Sequence, residues 1–329
     1  MMKLSNWENK SVLVTGATGL IGSHLVNELL NRNATVIAMG RTREKLENVF
    51  KDVKGHKKLN LVVGNISEGV PSELEYLDYI FHAASPISGT EIQEKPVDTI
   101  CANLNGTIEC LEKLKDQGSG RLVVFSSATV YGNQLDQEME VREEDTANAD
   151  ALHTANTPYS ESKRMIEVLA RGYHKQYGVD SVIVRMGYVY GFVNPSPKTA
   201  FYEFINKAIS GENIVLNNSG MGRRDNIHVN DVINGLLLVA EKGETIEAYN
   251  ISSDGDLGNY RAIDEMASMI ADATNDINTK NNIKAVVKPI EGDRKPGLRL
   301  NNSKMKALGW RVGISLEDGI KDVVKKYMG

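Results

Sequence analysis

Tyr159 and Lys163 stand four residues apart in Pro158-Tyr159-Ser160-Glu161-Ser162-Lys163, where a proline closes a loop and a helix begins. At that spacing both side chains leave one helix face, so a phenol and an ammonium share a site. An ammonium about 4 Å away is worth roughly 4 kcal/mol at an effective dielectric of about 20, enough to draw a phenol from its ordinary pKa of about 10 towards neutrality. Burial opposes part of that effect. A phenol so placed takes a proton from a hydroxyl while hydride leaves the same carbon, or returns one to a ketone. Tyr-x-x-x-Lys is common by chance, and its value here comes from Ser127. The run Leu122-Val123-Val124-Phe125-Ser126-Ser127-Ala128-Thr129-Val130-Tyr131-Gly132 puts hydroxyls at the C-terminal end of a strand, where open parallel sheets present their ligands. Ser127 is expected to polarise the reacting oxygen.

A second group of residues is suited to phosphate. Val12-Leu13-Val14 runs into Thr15-Gly16-Ala17-Thr18-Gly19-Leu20-Ile21-Gly22. Its glycines permit a tight turn, let the backbone approach a pyrophosphate and aim the following helix N-terminus at the negative charge. Gly16, Thr18, Gly19, Leu20, Ile21 and Gly22 are therefore expected to line a dinucleotide. At the end of the next strand, where an acid would receive the ribose hydroxyls of NAD, the chain reads Met39-Gly40-Arg41-Thr42-Arg43. Two guanidinium groups and no acid before Glu44 favour NADP(H), with NAD(H) still possible. Asn65, with Ile66 beside it, is placed to meet the adenine edge or simply to cap a turn. Arg294, in Asp293-Arg294-Lys295-Pro296-Gly297, has the chemistry to reach a nucleotide or phosphate.

Gly16-x-x-Gly19-x-x-Gly22, the Ser127 run and Tyr159-x-x-x-Lys163 together resemble the extended short-chain dehydrogenase/reductase superfamily, and within it the NAD-dependent epimerase/dehydratase family acting on nucleotide sugars. The resemblance continues through His82-Ala83-Ala84-Ser85, Asn103-Leu104-Asn105-Gly106-Thr107, Arg223-Arg224-Asp225-Asn226-Ile227-His228-Val229-Asn230-Asp231 and Leu308-Gly309-Trp310. It implies that Ser127, Tyr159 and Lys163 form the catalytic triad and that Lys163 also grips the cofactor ribose. It implies that Asn103, counted among the cofactor-binding residues, supports the active-site backbone and proton relay, and that Ala83 and Ala84 line the nicotinamide end of the groove. Ser85 and Arg224 would meet the substrate, Arg224 as a clamp on its diphosphate. His82 is expected to be a packed strand-end histidine, Ser126 a structural neighbour, and His228 and Asp231 to orient the segment that follows them. Two departures stand out. Tyr188 replaces the Asn of the family's Arg-x-x-Asn-Val-Tyr-Gly pattern, so the substrate is expected to sit differently or to be an unusual sugar. Ala128-Thr129 also lacks the acidic pair that 4,6-dehydratases place after their Thr or Ser.

These residues need a scaffold that brings several strand ends together. The apolar runs Ser11–Thr15, Thr35–Met39, Leu59–Val63, Tyr79–His82, Leu122–Ser126 and Ser181–Arg185 have the composition of strands buried on both faces. Amphipathic stretches Ser23–Asn31, Val97–Lys115 and Ser160–Tyr177 separate them. This alternation predicts an α/β fold: a Rossmann-type doubly wound parallel sheet with a smaller mixed α/β substrate-binding lobe. The domains expected are residues 1–185, binding NAD(P), and 186–329, binding substrate. The chain should return to the first domain around 226–252 through a helix at Asp231–Glu241 and a strand at Ala248–Ile251. A helix near Ala200–Ser210 belongs to the second lobe, and Asn275–Asn282 reads as a solvated loop.

With 329 residues, 41% of them hydrophobic and 25% charged, the chain can bury a large core and is not a small stapled scaffold. Its 38 basic against 43 acidic residues leave a net charge of -5, which gives nucleic acid no general attraction. The only two cysteines, Cys101 and Cys110, fall about 13 Å apart on opposite faces of one helix and cannot bridge each other. No metal-ligand spacing is present. No apolar run approaches the roughly 20 residues of a membrane-spanning helix, and the expected address is cytoplasmic.

The reaction expected is that of a nucleotide-sugar epimerase, with Tyr159 as base and then acid. The alternatives are a keto-sugar reductase consuming NADPH, and a non-catalytic dinucleotide-binding sensor or scaffold. A homodimer joined through the Val97–Lys115 and Ser160–Tyr177 helices is expected, with a nucleotide-diphosphate sugar as the small-molecule partner.

Overall fold

The computed structural model describes residues 7–86, 89–132, 139–145, 153–216, 220–278, 282–287 and 297–329. Its first half runs β1 (Ser11–Thr15), α1 (Leu20–Asn31), β2 (Thr35–Gly40), α2 (Arg43–Val49), β3 (Leu59–Val63), β4 (Tyr79–His82), α3 (Gly89–Glu94), α4 (Pro96–Gln117), β5 (Arg121–Phe125), β6 (Met139–Val141), α5 (Thr157–Tyr177) and β7 (Asp180–Met186). The chain continues through β8 (Tyr188–Tyr190), α6 (Ala200–Ile209), β9 (Ile214–Leu216), β10 (Arg223–His228), α7 (Val229–Lys242) and β11 (Ala248–Ile251). It closes with β12 (Tyr260–Ala262), α8 (Ile263–Ile277), β13 (Ala285–Val287), β14 (Leu298–Leu300), α9 (Ser303–Ala307) and α10 (Leu316–Met328).

Seven parallel strands form the central sheet in the order β11-β7-β5-β4-β1-β2-β3. The six expected strands are all there within a residue or two of their expected ends. The seventh, β11, is the late segment that pairs Ala248 to Ile251 with Ile183 to Met186 of β7. Side chains alternate between two apolar layers, which is why these strands read as continuous hydrophobic runs. Val12 and Val14 enter the layer shared with Leu25, Leu29 and Leu236, from α1 and α7, whereas Leu13 enters the layer shared with Leu111 and Ile166, from α4 and α5. A further cluster joins α6, α8 and α10 through Phe201, Ile270 and Ile320.

Strand order reverses between β1 and β4, and the crevice beyond their C-terminal ends is where such sheets take ligands. Three smaller sheets lie outside the main one: β12-β10-β8, β13-β9 and β14-β6.

Three local expectations need correction. Helix α1 begins at Leu20 rather than Ser23, directly on the glycine turn, and α5 begins at Thr157 because Pro158 sits in the first turn, where a missing N–H costs nothing. Asn275–Asn282 is not simply a solvated loop. Asn275 lies inside α8, where its side chain donates to the Ile283 carbonyl and accepts from the Ile283 N–H. Cys101 is exposed and Cys110 buried on α4, and both are free thiols.

Candidate active site

The turn after β1 is fixed by close backbone approach. Gly16 adopts φ +61°, and a Cβ on it would lie 2.7 Å from the Ala84 nitrogen and 2.8 Å from the Ala83 carbonyl. A Cβ on Gly22 would meet the Gly16 oxygen at 2.3 Å. Gly19 differs: a Cβ there meets only the Gly16 oxygen, at 3.4 Å. The protein itself therefore leaves room in front of Gly19. Gly19 is also the N-cap of α1, with no side-chain cap and no acid in the first turn. A helix start with its N–H groups uncapped and its approach clear fits a pyrophosphate.

Thr15 joins this turn to the end of β4. Its hydroxyl meets His82 Nδ1 at 2.8 Å and accepts from the Ala84 N–H at 3.2 Å. Burial, aided by the nearby Lys163 charge, holds the His82 pKa down to about 3. The neutral ring packs on Gly106 of α4, where a Cβ would come within 2.8 Å of it. As expected, His82 is a packed histidine.

Ser127 stands at the end of β5 and caps the short 3-10 turn Ala128–Tyr131, its Oγ accepting from the Thr129 N–H at 3.2 Å. Tyr159 projects from the first turn of α5, partly exposed, and the hydroxyls of Ser127 and Ser85 are the polar groups that act on its phenol. Lys163, one turn further along α5, is 4% exposed. It donates to the Phe125 carbonyl at 2.8 Å, with Nζ 5.6 Å from the centre of the Tyr159 ring. Asn103 ties the periphery together. It accepts from Ser85 Oγ at 2.7 Å and donates to Ser162 Oγ at 2.8 Å, and Ser162 donates to the Tyr159 carbonyl.

The electrostatics reverse one expectation. Burial raises the Tyr159 pKa above its ordinary value, only partly opposed by the Ser127 and Ser85 hydrogen bonds, and Lys163 does not figure among the causes. Burial likewise lowers Lys163 to about 7. Desolvation disfavours both charged forms, so in the free protein the pair rests as neutral phenol beside an amine poised near neutrality. Strongly displaced pKa values in one crevice are a mark of a reacting site.

Other expected residues fall outside this cluster. Arg41 and Arg43 are both exposed after β2, and Arg43 donates to the Leu61 carbonyl of β3 at 3.0 Å. Asn65 caps a turn, accepting from the Ser67 N–H and donating to Glu68, while Ile66 is buried beside Gly106. Tyr188, on β8, reaches Thr199 at 3.4 Å, and Arg224, exposed on β10, donates to the Arg223 carbonyl. No described contact joins either of them to Tyr159. Arg294 lies outside the described residues. His228 caps α7 by accepting from the Asn230 N–H, and Asp231 accepts from the N–H groups of Gly313 and Ile314, so both do orient the returning segment. Among the described residues no group of His, Cys, Asp and Glu is arranged to hold a metal.

Sequence reasoning missed a buried network directly behind the site. Glu167 continues the Tyr159, Lys163 spacing by another four residues, and accepts from Ser126 Oγ at 2.5 Å and from Arg185 at 2.9 and 2.8 Å. The signal available was a carboxylate on the apolar face of an amphipathic helix.

A family model described as the NAD dependent epimerase/dehydratase family matches residues 12–252. Among curated proteins the chain is 29% identical over 315 residues to UDP-glucuronic acid decarboxylase 3 of Arabidopsis thaliana, spanning 95% of this chain and 87% of the relative. Among solved structures it is similar to the UDP-glucose 4-epimerase of Thermus thermophilus in complex with NAD, at 25% identity and a TM-score of 0.79 over 97% of this chain and 99% of that one. It is also similar to a dTDP-glucose 4,6-dehydratase of Streptomyces venezuelae solved with NAD bound, at 26% identity and a TM-score of 0.78 over 96% of each chain.

Proposed function

The chain belongs to the NAD-dependent epimerase/dehydratase family, and from that premise we propose that it is a nucleotide-sugar epimerase working through a transient keto-sugar. The observation that carries the reading is Lys163 anchored to the Phe125 carbonyl with its Nζ 5.6 Å from the centre of the Tyr159 ring, the Ser127 and Ser85 hydroxyls acting on the phenol and no carboxylate among the groups that do. Oxidation of a sugar hydroxyl needs one base and one oxygen-polarising donor, and this cluster has both. Elimination of water needs an additional positioned acid and base, and Ala128-Thr129 supplies neither.

Gly16, Gly19, Gly22 and the start of α1 would hold the pyrophosphate, Arg41 the adenosine ribose or its phosphate, and Ala83, Ala84 and Lys163 the nicotinamide half. The bound dinucleotide supplies a hydride acceptor and donor. Ser127 holds the sugar oxygen. With Lys163 carrying the proton given up by the resting phenol, Tyr159 as the phenolate takes the sugar hydroxyl's proton while the ketone forms and returns it as the ketone is reduced, so the phenolate is regenerated. Asn103 and Ser162 keep the first turn of α5 in place during both transfers. Tyr188 and Arg224 are assigned to the substrate's diphosphate-sugar.

A second reading, a keto-sugar reductase, is favoured by one observation: the exposed Arg41 with no acid at the end of β2, which suits NADPH. Decarboxylation of a uronic acid is the activity in the name of the curated relative and starts from the same oxidation.

One experiment separates these readings. The protein is incubated with UDP-, GDP-, CDP- and dTDP-sugars, UDP-glucuronic acid and 4-keto derivatives, while products and nicotinamide absorbance are followed. One saturated sugar is expected to give its epimer with no net absorbance change. Tyr159→Phe should lower kcat by roughly 10²- to 10⁴-fold while cofactor affinity is kept. Stoichiometric NADPH consumption establishes the reductase instead, and carbon dioxide release the decarboxylase.

The exposed apolar side chains Val97 on α4 and Met165, Val168 and Tyr177 on α5 are assigned to a homodimer contact. A monomeric mass by light scattering at micromolar concentration would overturn that assignment. No helix among the described residues is long and apolar enough to cross a membrane, and we place the protein in the cytoplasm.

A further inference from the structure

Helix α5 is stitched to the end of β5 at two successive residues. Lys163 donates to the Phe125 carbonyl, and four residues further along the helix Glu167 accepts from the Ser126 hydroxyl. Ser127, the next residue of the chain, opens the Ala128–Tyr131 turn. The far end of that turn is held by the same carboxylate at one remove. Arg185, on β7, binds both oxygens of Glu167 and donates at 2.9 Å to the Tyr131 hydroxyl, with its guanidinium 4.9 Å from the centre of the Tyr131 ring. Tyr131 in turn donates to Asn250 of β11 at 2.8 Å, and Arg185 also donates to the Glu143 carbonyl. Glu167 is only 7% exposed, and each carboxylate oxygen has at least one donor.

We propose that Glu167 is a positioning residue: through Ser126 at one end and Arg185 and Tyr131 at the other, it fixes the turn that carries the Ser127 hydroxyl opposite Tyr159. The physical argument is one of registration. Tyr159, Lys163 and Glu167 share one face of a rigid helix, so the separation of Ser127 from Tyr159 follows from where β5 meets that helix. Phe125 and Ser126 are the points of contact. A carboxylate bonded to one hydroxyl and one guanidinium has little freedom to shift, and it does not itself touch the reacting groups. Lys163 is the other anchor but faces the reacting phenol, so Glu167 is the anchor that can be altered without removing a reacting group.

This inference rests on Tyr159 and Ser127 being the reacting pair, and its test is arranged so that the two can fail separately. Three variants are compared: Ser126→Ala, which deletes one hydroxyl, Glu167→Gln, which keeps shape and removes charge, and Tyr159→Phe. With carbon-13-labelled tyrosine, the phenolic carbon resonance of Tyr159 is assigned by its loss in Tyr159→Phe and followed at neutral pH without substrate. It is expected to move in Ser126→Ala and in Glu167→Gln, because the Ser127 hydroxyl shifts relative to the phenol it acts on. With the sugar that is turned over, kcat is expected to fall roughly 10- to 100-fold in Glu167→Gln, with KM and cofactor affinity within about twofold. A wild-type resonance in Ser126→Ala overturns the inference. That variant decides the matter alone if Glu167→Gln does not fold. Undiminished turnover by Tyr159→Phe overturns the functional reading, whatever Glu167 does.

Discussion

Lys163 Nζ donates a 2.8 Å hydrogen bond to the carbonyl oxygen of Phe125, the last residue of β5. The bond holds the amine in a place where little water reaches it, and this desolvation brings its pKa down from 10.5 to about 7. The unfolded chain, where the same lysine titrates normally, then binds more protons than the folded one between those two values. Stability contributed at this position should therefore rise as pH increases from 7 towards 10. Denaturant unfolding of the wild type and of Lys163→Met at pH 7, 8 and 9 checks it. The wild type should gain on the variant with each step, and parallel pH dependences would refute the claim.

The two arginines after β2 should behave differently. Both are exposed, but Arg43 is bonded to the Leu61 carbonyl of β3. Calorimetric titration should find that Arg41→Ala weakens NADP(H) by roughly tenfold, the worth of one charge-assisted contact, while NAD(H) is little changed. Arg43→Ala should alter the preference much less. Tighter binding of NAD(H) by the wild type would show that the missing acid does not decide cofactor choice.

Glycines three residues apart in one turn should separate stability from binding. Gly16→Ala forces a Cβ against the Ala83–Ala84 backbone at a positive φ and should lower Tm by several degrees or more. Gly19→Ala meets only ordinary contact at 3.4 Å and should leave Tm nearly unchanged. Its methyl group nevertheless stands where a pyrophosphate would approach the helix start, so dinucleotide affinity should fall by at least about tenfold. Thermal melts with and without NAD(P) distinguish the two effects, and a Gly19→Ala protein that still binds normally would place the pyrophosphate elsewhere.

The sheet was legible because its inner strands are buried on both faces and so have no polar alternation to confuse with a helix, whereas β3, expected to be buried likewise, is an edge strand with Asn60 and Val63 exposed. Leu13 between Val12 and Val14 is apolar for the same reason that its neighbours are, although it faces the other layer. The reacting residues were legible because their chemistry needs fixed spacings along one helix and one strand end. What spacing does not encode is the dielectric surrounding a group. The proximity of Lys163 to Tyr159 suggested a depressed phenol pKa, but burial raises it and Lys163 is not among the causes of its shift. Glu167 was overlooked for a related reason: its partners Ser126 and Arg185 are 41 and 18 residues away in sequence, and only the folded sheet brings them to it.

The position of β11 has a consequence during synthesis. It pairs with β7, yet the chain must travel through β8, α6, β9, β10 and α7 before Ala248 emerges. At about 5–20 residues per second, a nascent chain that has already assembled β1 to β5 and β7 waits several seconds with the unpaired backbone of β7 facing solvent. An apolar edge such as Val182-Ile183-Val184 is a template for intermolecular strand addition. Ribosomes translating this message are thus expected to recruit holdase chaperones in that interval, and truncations ending just before Ala248 should be far more prone to aggregate than the full chain.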